Sequence, residues 1–119
     1  MTKQPTLFAE KTTGGPADFE RLTLFALGEF QARGKVLAGR ELPLDRLRGA
    51  LRRAAEVLGV EEPGDEQAAS TLESLGARVR RVPPFVAKHP YRVTAPQDLA
   101  ERARLFFDEQ RPRPADAAE

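Results

Sequence analysis

The sequence has no cysteine and no tryptophan, and only one histidine among its 119 residues. Without cysteine, a disulfide framework and a thiolate zinc site are both excluded, and the composition suits a reducing cytosol. The sole histidine, His89, precedes Pro90 and is interpreted as a loop residue rather than a general base. No Gly-rich phosphate loop follows a predicted strand, and no metal-ligand spacing occurs. We therefore expect no enzymatic activity, no metal site and no cofactor.

Long apolar runs are also missing. No stretch approaches the ~18 apolar residues of a membrane span, and the N-terminus carries no hydrophobic signal segment. These features predict a cytoplasmic protein.

The chain is long enough for one domain with its own core. We expect that domain over residues 16–111, between flexible tails at 1–15 and 112–119 that are polar and rich in helix-breaking residues.

The net charge is only +1, but the charges are segregated along the chain. Residues 33–53 hold seven basic and two acidic side chains, which gives +5. Residues 54–76 hold six acids and no base, whereas residues 77–97 hold five lysines or arginines and no acid. Two basic blocks around an acidic one indicate the partners better than the total does.

The first half of the chain predicts two helices with a short strand between them. Pro16 and Gly34 delimit a helix over 17–32, and the strand is expected within 35–41. Pro43 then opens a helix that ends at Gly59, a residue suited to the left-handed C-cap. The apolar positions of this helix keep a strict helical spacing: Leu44, Leu47, Leu51, Ala54 and Leu58.

The second half predicts a helix over 65–75, a β-hairpin and a last helix. Asp65 is expected to cap the first of these helices. The β-prone runs 78–82 and 91–94 predict the two hairpin strands. Thr94 and Gln97 match the capping box of the last helix. Later in that helix Phe106 and Phe107 are adjacent and cannot share one face, which leaves one of them for a second subunit in a homodimer.

Three segments carry a resemblance to a known fold. They are LGV at 58–60, LESLGARVRRV at 72–82, and YRVT at 91–94 before another amphipathic helix. Together they resemble the winged helix-turn-helix superfamily over roughly residues 17–111, as a pattern rather than a signature motif. The resemblance implies a mainly α domain with a small β-hairpin as its wing and helix 65–75 as its recognition helix.

The predicted wing is basic. On a strand, Arg78 and Arg80 share one face while Val79 and Arg81 share the other. Such a wing suits contacts with the DNA backbone or minor-groove insertion. Exposed charges that keep an edge hairpin from aggregating are the alternative, and the arginines of the second helix can equally form a solvated face. The candidate DNA-binding residues are Arg78, Arg80, Arg81, Lys88, His89 and Arg92 in the hairpin, and Arg46 and Arg53 in the second helix.

The predicted recognition helix is acidic instead. Asp65, Glu66 and Glu73 would be repelled by the phosphates that flank the major groove, and the helix has no arginine to read guanine. This argues against an ordinary dimeric transcription regulator. A protein–protein module whose acidic helix meets a basic partner is the alternative to DNA binding.

The N-terminal tail contains a short peptide with adjacent apolar residues. Gln4-Pro5-Thr6-Leu7-Phe8 resembles the Gln-x-x-Leu-Phe peptide by which bacterial replication and repair proteins dock on the sliding clamp. An extended segment can insert Leu7 and Phe8 into a hydrophobic pocket while Gln4 makes directional hydrogen bonds. The alternative is that Leu7 and Phe8 pack back onto the domain. We therefore predict a winged-helix accessory protein of DNA replication or repair, located in the nucleoid and tethered to the clamp.

Overall fold

The computed structural model describes residues 15–83, 85 and 90–110, which form four α-helices and a three-stranded antiparallel sheet. In chain order the elements are α1 (Pro16–Ala32), β1 (Glu41–Pro43), α2 (Leu44–Leu58), α3 (Asp65–Ser74), β2 (Arg78–Arg81), β3 (Tyr91–Thr94) and α4 (Gln97–Gln110). The predicted order of elements is confirmed, as is a mainly helical fold with a small sheet. Several predicted features lie outside the described residues. They are the two tails, apart from Gly15, and therefore the clamp-binding candidates Gln4, Leu7 and Phe8. The DNA-binding candidates Lys88 and His89 also lie outside.

The core is centred on α1, which contacts α2, α3 and α4. Its buried face includes Leu22, Phe25 and Leu27. The ring of Phe25 meets Phe107 of α4 edge-on, with the ring centroids 4.9 Å apart. The predicted stripe of α2 also faces this core; Leu44, Leu47, Leu51 and Ala54 are buried and Leu58 is half-buried. None of the described helices has the length and apolarity needed to cross a bilayer.

The adjacent phenylalanines of α4 both contact the core. Phe107 is buried, and Phe106 is half-buried and packs against the same cluster. The neighbouring Leu105 is instead the exposed apolar side chain of this helix. The prediction that the two rings cannot share one face is therefore wrong, because both contact the same cluster. The homodimer itself stays a prediction, since Phe106 is still partly exposed.

Two predicted helix caps are also wrong. Asp65 is the first residue of α3, with Gly64 as the N-cap, and its carboxylate accepts hydrogen bonds from Arg48. Thr94 is still paired in β3, and α4 begins three residues later at Gln97. A tertiary contact decides both cases: the side chain of Asp65 pairs with Arg48, and the backbone of Thr94 pairs with the neighbouring strands.

The first strand is shorter and later than predicted. Gly39 has a φ of 72°, and the backbone N–H of Arg40 donates to the carbonyl of Leu37, which closes a turn. Regular pairing therefore begins only at Glu41 and ends at Pro43. Proline is tolerated there because β1 lies at the edge of the sheet.

A single arginine holds the connection between α2 and α3. The guanidinium of Arg48 donates to the carboxylate of Glu62 and to the carbonyl of Pro63, each at 2.9 Å, and also to the carboxylate of Asp65. Its side chain is only 19% exposed. At the start of this connection, Gly59 adopts the left-handed conformation, with φ 70°, as predicted for a C-cap.

Candidate nucleic-acid interface

The register of the sheet sorts the hairpin side chains between two faces. The strand order is β1-β3-β2, and Leu42, Val93 and Val79 stand opposite one another and contact the core. Their neighbours along each strand point the opposite way. Six residues therefore share a solvent-facing surface, called here the outer face: Glu41, Pro43, Arg78, Arg80, Arg92 and Thr94.

Arginine dominates the outer face. Arg78 and Arg80 are exposed on β2, and Arg92 is half-exposed on the central strand, directly opposite Arg80. The sheet thus brings together three of the predicted DNA-binding residues. Like charges directly opposite each other destabilise a sheet unless an anion lies nearby, so this surface favours a negatively charged group.

Glu41 supplies one such group from within the chain. Its carboxylate accepts two hydrogen bonds from Arg80, from Nε at 2.7 Å and from Nη2 at 3.0 Å. The contact runs diagonally over β3, because Glu41 stands beside Thr94 whereas Arg80 stands beside Arg92. This hydrogen bond, with the charges of Arg80 and Arg92, holds the pKa of Glu41 below its ordinary value, although desolvation opposes the shift. The same bond raises the pKa of Arg80.

Arg81 lies on the other side of the hairpin, as the strand alternation predicts. Its guanidinium carbon is 5.1 Å from the centroid of the Tyr91 ring, a distance typical of a cation–π contact. Both side chains border a cleft of about 320 Å³ between the hairpin and α3. We call this the α3 cleft, and its lining residues are Glu66, Ala69, Ser70, Glu73, Val79, Arg81 and Tyr91.

The exposed side of α3 remains acidic in the fold. Glu66, Ser70 and Glu73 follow one another on a single helix face and line the α3 cleft. Neither Glu66 nor Glu73 forms an ion pair within the described part of the chain. Asp65 differs from them, because Arg48 neutralises it. The carboxylates that argue against major-groove binding are therefore Glu66 and Glu73.

Of the two candidates on α2, Arg53 contacts α1 rather than the hairpin. The Nε of Arg53 donates to both carboxylate oxygens of Glu29 in α1, at 2.9 and 3.0 Å. Arg46 is exposed and lies seven residues before Arg53, hence on the same face of α2. The structure thus pairs Arg53 with α1 and does not bring it to the outer face.

The sequence did not identify two residues, Glu41 and Arg48, whose side chains make the main polar contacts of the outer face and of the α2–α3 connection. Glu41 was predicted to lie in a strand, but the sequence does not link it to Arg80, which is 39 positions away. The two side chains meet only because β1 and β2 both pair with β3. Arg48 was one of several arginines on α2, and only the folded α2–α3 connection distinguishes it. The one available signal for Arg48 was the cluster of acids that follows α2.

No group of three or more histidine, aspartate or glutamate side chains that could hold a metal ion occurs among the residues that the structure describes. Comparisons of the chain with protein-family models, with curated proteins and with solved structures find no match. The function therefore has to be argued from the geometry and charge of the outer face and the α3 cleft.

Proposed function

We propose that this chain is a non-enzymatic winged-helix protein that binds DNA through its basic hairpin and serves as an accessory factor in replication or repair. The element order and the sheet order β1-β3-β2 support the winged-helix assignment, with β2 and β3 as the strands of the wing. The observation that carries the DNA-binding proposal is the outer face, where three arginines lie together on a short sheet.

The geometry favours contacts with phosphates over the reading of bases. Guanidinium groups bind phosphate oxygens in a forked geometry, and such contacts position a protein without reading sequence. Meanwhile Glu66 and Glu73 on α3 would face phosphates if that helix entered the major groove. Binding in this proposal is therefore weakly dependent on sequence and strongly dependent on salt, and the hairpin rather than α3 makes the main contact.

The test measures binding to a duplex of about 20 base pairs at several salt concentrations between about 50 and 200 mM. Replacing Arg78 and Arg92 by glutamine should weaken binding to all sequences alike and lower the salt slope by up to about two units. Arg102 and Arg104, both exposed on α4, provide the control, because their replacement removes the same charge from another element. Equal slopes for the two double variants would reject the outer face as the DNA-binding surface.

The acidic face of α3 supports a second candidate function, a module that binds a basic protein segment. Glu66 and Glu73 are exposed and line the α3 cleft, where their carboxylates can pair with a lysine or arginine side chain of a partner. An oligolysine peptide should then shift the amide resonances of α3, and replacement of Glu66 and Glu73 by glutamine should remove the effect. If the parent does not bind DNA at low salt and this titration succeeds, the module replaces the DNA-binding protein as the better proposal.

A further inference from the structure

Glu41 is the single acid on the outer face, and it lies among the three arginines of that surface. It reaches Arg80 across the central strand with both of its carboxylate oxygens, one to Nε and one to Nη2. A phosphodiester presents two oxygens to the same edge of a guanidinium in the same way. The carboxylate of Glu41 therefore occupies the position that a backbone phosphate would take on Arg80.

The pair is also open to exchange. The side chains of Arg80 and Glu41 are 57% and 41% exposed, so water and salt screen their attraction. A polyanion that concentrates charge at the outer face competes effectively for such a guanidinium. Arg78, in contrast, forms no ion pair with any described residue and needs no exchange before it binds.

We infer that Glu41 is an internal competitor for phosphate, which keeps Arg80 out of the DNA contact until the carboxylate is displaced and thereby limits the affinity of the outer face. This inference rests on the proposed function, namely DNA binding through the hairpin. It gives the two arginines of β2 different roles: Arg78 contacts phosphate at once, whereas Arg80 contributes only when it leaves Glu41.

Glu41→Gln is the decisive variant, because it removes the charge and nearly preserves the shape. It should tighten binding to the duplex about two- to ten-fold at low salt, since the competing ion pair and the repulsion of phosphate are both lost. The salt slope should also become steeper by about one unit, which corresponds to one additional phosphate contact.

Two controls separate this effect from a general change in charge. Glu109→Gln removes one negative charge from the exposed last turn of α4. Glu109 lies about 18 Å along the helix from Gln97. Salt screens interactions between exposed charges over such a distance. It should leave the slope unchanged. Arg80→Gln, combined with Glu41→Gln, should abolish the steeper slope if the freed guanidinium causes it. Thermal unfolding of each full-length variant checks that all are folded.

The outcomes distinguish the inference from the function on which it rests. If the parent binds DNA and Glu41→Gln has the same slope as Glu109→Gln, the competitor role is rejected and the function stands. If the steeper slope persists without Arg80, the inference is rejected as well. If neither the parent nor Glu41→Gln binds, both are rejected. Binding by Glu41→Gln that the parent lacks would support both.

Discussion

At the scale of single residues, Arg48 is the side chain on which the α2–α3 connection most depends. Its planar guanidinium satisfies two carboxylates and one backbone carbonyl that come from three positions within four residues, Glu62 to Asp65. A lysine cannot fill this role, because an ammonium lacks the fixed fork of five donors. The acidic segment after α2 is thus partly neutralised by the helix that precedes it.

Replacing Arg48 by alanine should lower the free energy of unfolding by about 1–3 kcal/mol, because it leaves Glu62, Asp65 and the Pro63 carbonyl without their donor. Lysine should restore only part of this stability. Arg52 provides the control. Its side chain is 62% exposed, and its Nε is 4.0 Å from Glu62, which is too far for a hydrogen bond. Its loss should therefore cost less than about 0.5 kcal/mol. Urea unfolding measures both, and equal costs would contradict the role of Arg48.

The pair of Glu41 and Arg80 predicts a titration that can be observed directly. The hydrogen bond from Arg80 is the main cause of the lowered pKa of Glu41, so Arg80→Gln should raise that pKa toward its ordinary value. Because the pKa is lower in the folded chain, the pair stabilises the fold above the unfolded value of about 4.3. This stabilisation is lost as the pH falls through the lowered pKa. A carboxyl carbon titration by NMR checks the shift, and identical midpoints in parent and variant would refute it.

At the scale of elements, α1 and α4 approach each other closely at Gly28. A Cβ added at Gly28 would clash with the carbonyl oxygen of Ala103 and with the Cβ of Phe107. Gly28 therefore sets the distance between the two helices, and the edge-on contact of Phe25 with Phe107 depends on this distance. In the sequence, Gly28 is only a weak point in a predicted helix.

Gly28→Ala should destabilise the protein by about 1–3 kcal/mol, because overpacking between two helix backbones outweighs the gain of up to about 1 kcal/mol in helix propensity. Gly49→Ala is the matched control. A Cβ at Gly49 meets only the end of the Arg53 side chain, at 3.3 Å, which can move away. That variant should be neutral or stabilised by up to about 1 kcal/mol. Thermal unfolding that ranks the two variants in the opposite order would contradict the close packing of α1 against α4.

At the scale of the whole molecule, the tail remains the feature that would connect the domain to a pathway. Its peptide, with Gln4, Leu7 and Phe8, lies outside the described residues, so clamp binding stays a prediction from the sequence. A tethered domain would gain a high local concentration near DNA from a weak clamp contact together with a weak DNA contact. Neither contact needs to be strong alone, which is consistent with an outer face that Glu41 partly neutralises.

Replacing Leu7 and Phe8 by alanine in the full chain should abolish binding to a bacterial sliding clamp and leave the melting temperature unchanged. The parent should bind in the order of micromolar, because few side chains anchor the peptide and its ordering costs entropy. Thr12→Ala with Thr13→Ala, in the same tail, should bind like the parent. If the first variant instead lowers stability by more than about 1 kcal/mol, Leu7 and Phe8 belong to the core.

The sequence by itself determined the features that depend on neighbours along the chain. The leucine spacing of α2, its C-cap at Gly59 and the opposite facing of Arg80 and Arg81 were all predictable, because helix and strand periods are local. Local patterns of this kind also predicted the order of the elements, and the composition alone showed that the hairpin is basic and α3 is acidic.

Only the tertiary structure decided which charges meet. Arg80 pairs with Glu41 across 39 positions, Arg53 with Glu29 across 24, and Arg48 with Asp65 across 17. No local period relates such residues, since each contact forms only after the helices and strands have packed. For the same reason the sequence shows several equivalent arginines, whereas the fold holds Arg48 and Arg53 in ion pairs between helices and gathers Arg78, Arg80 and Arg92 on one surface.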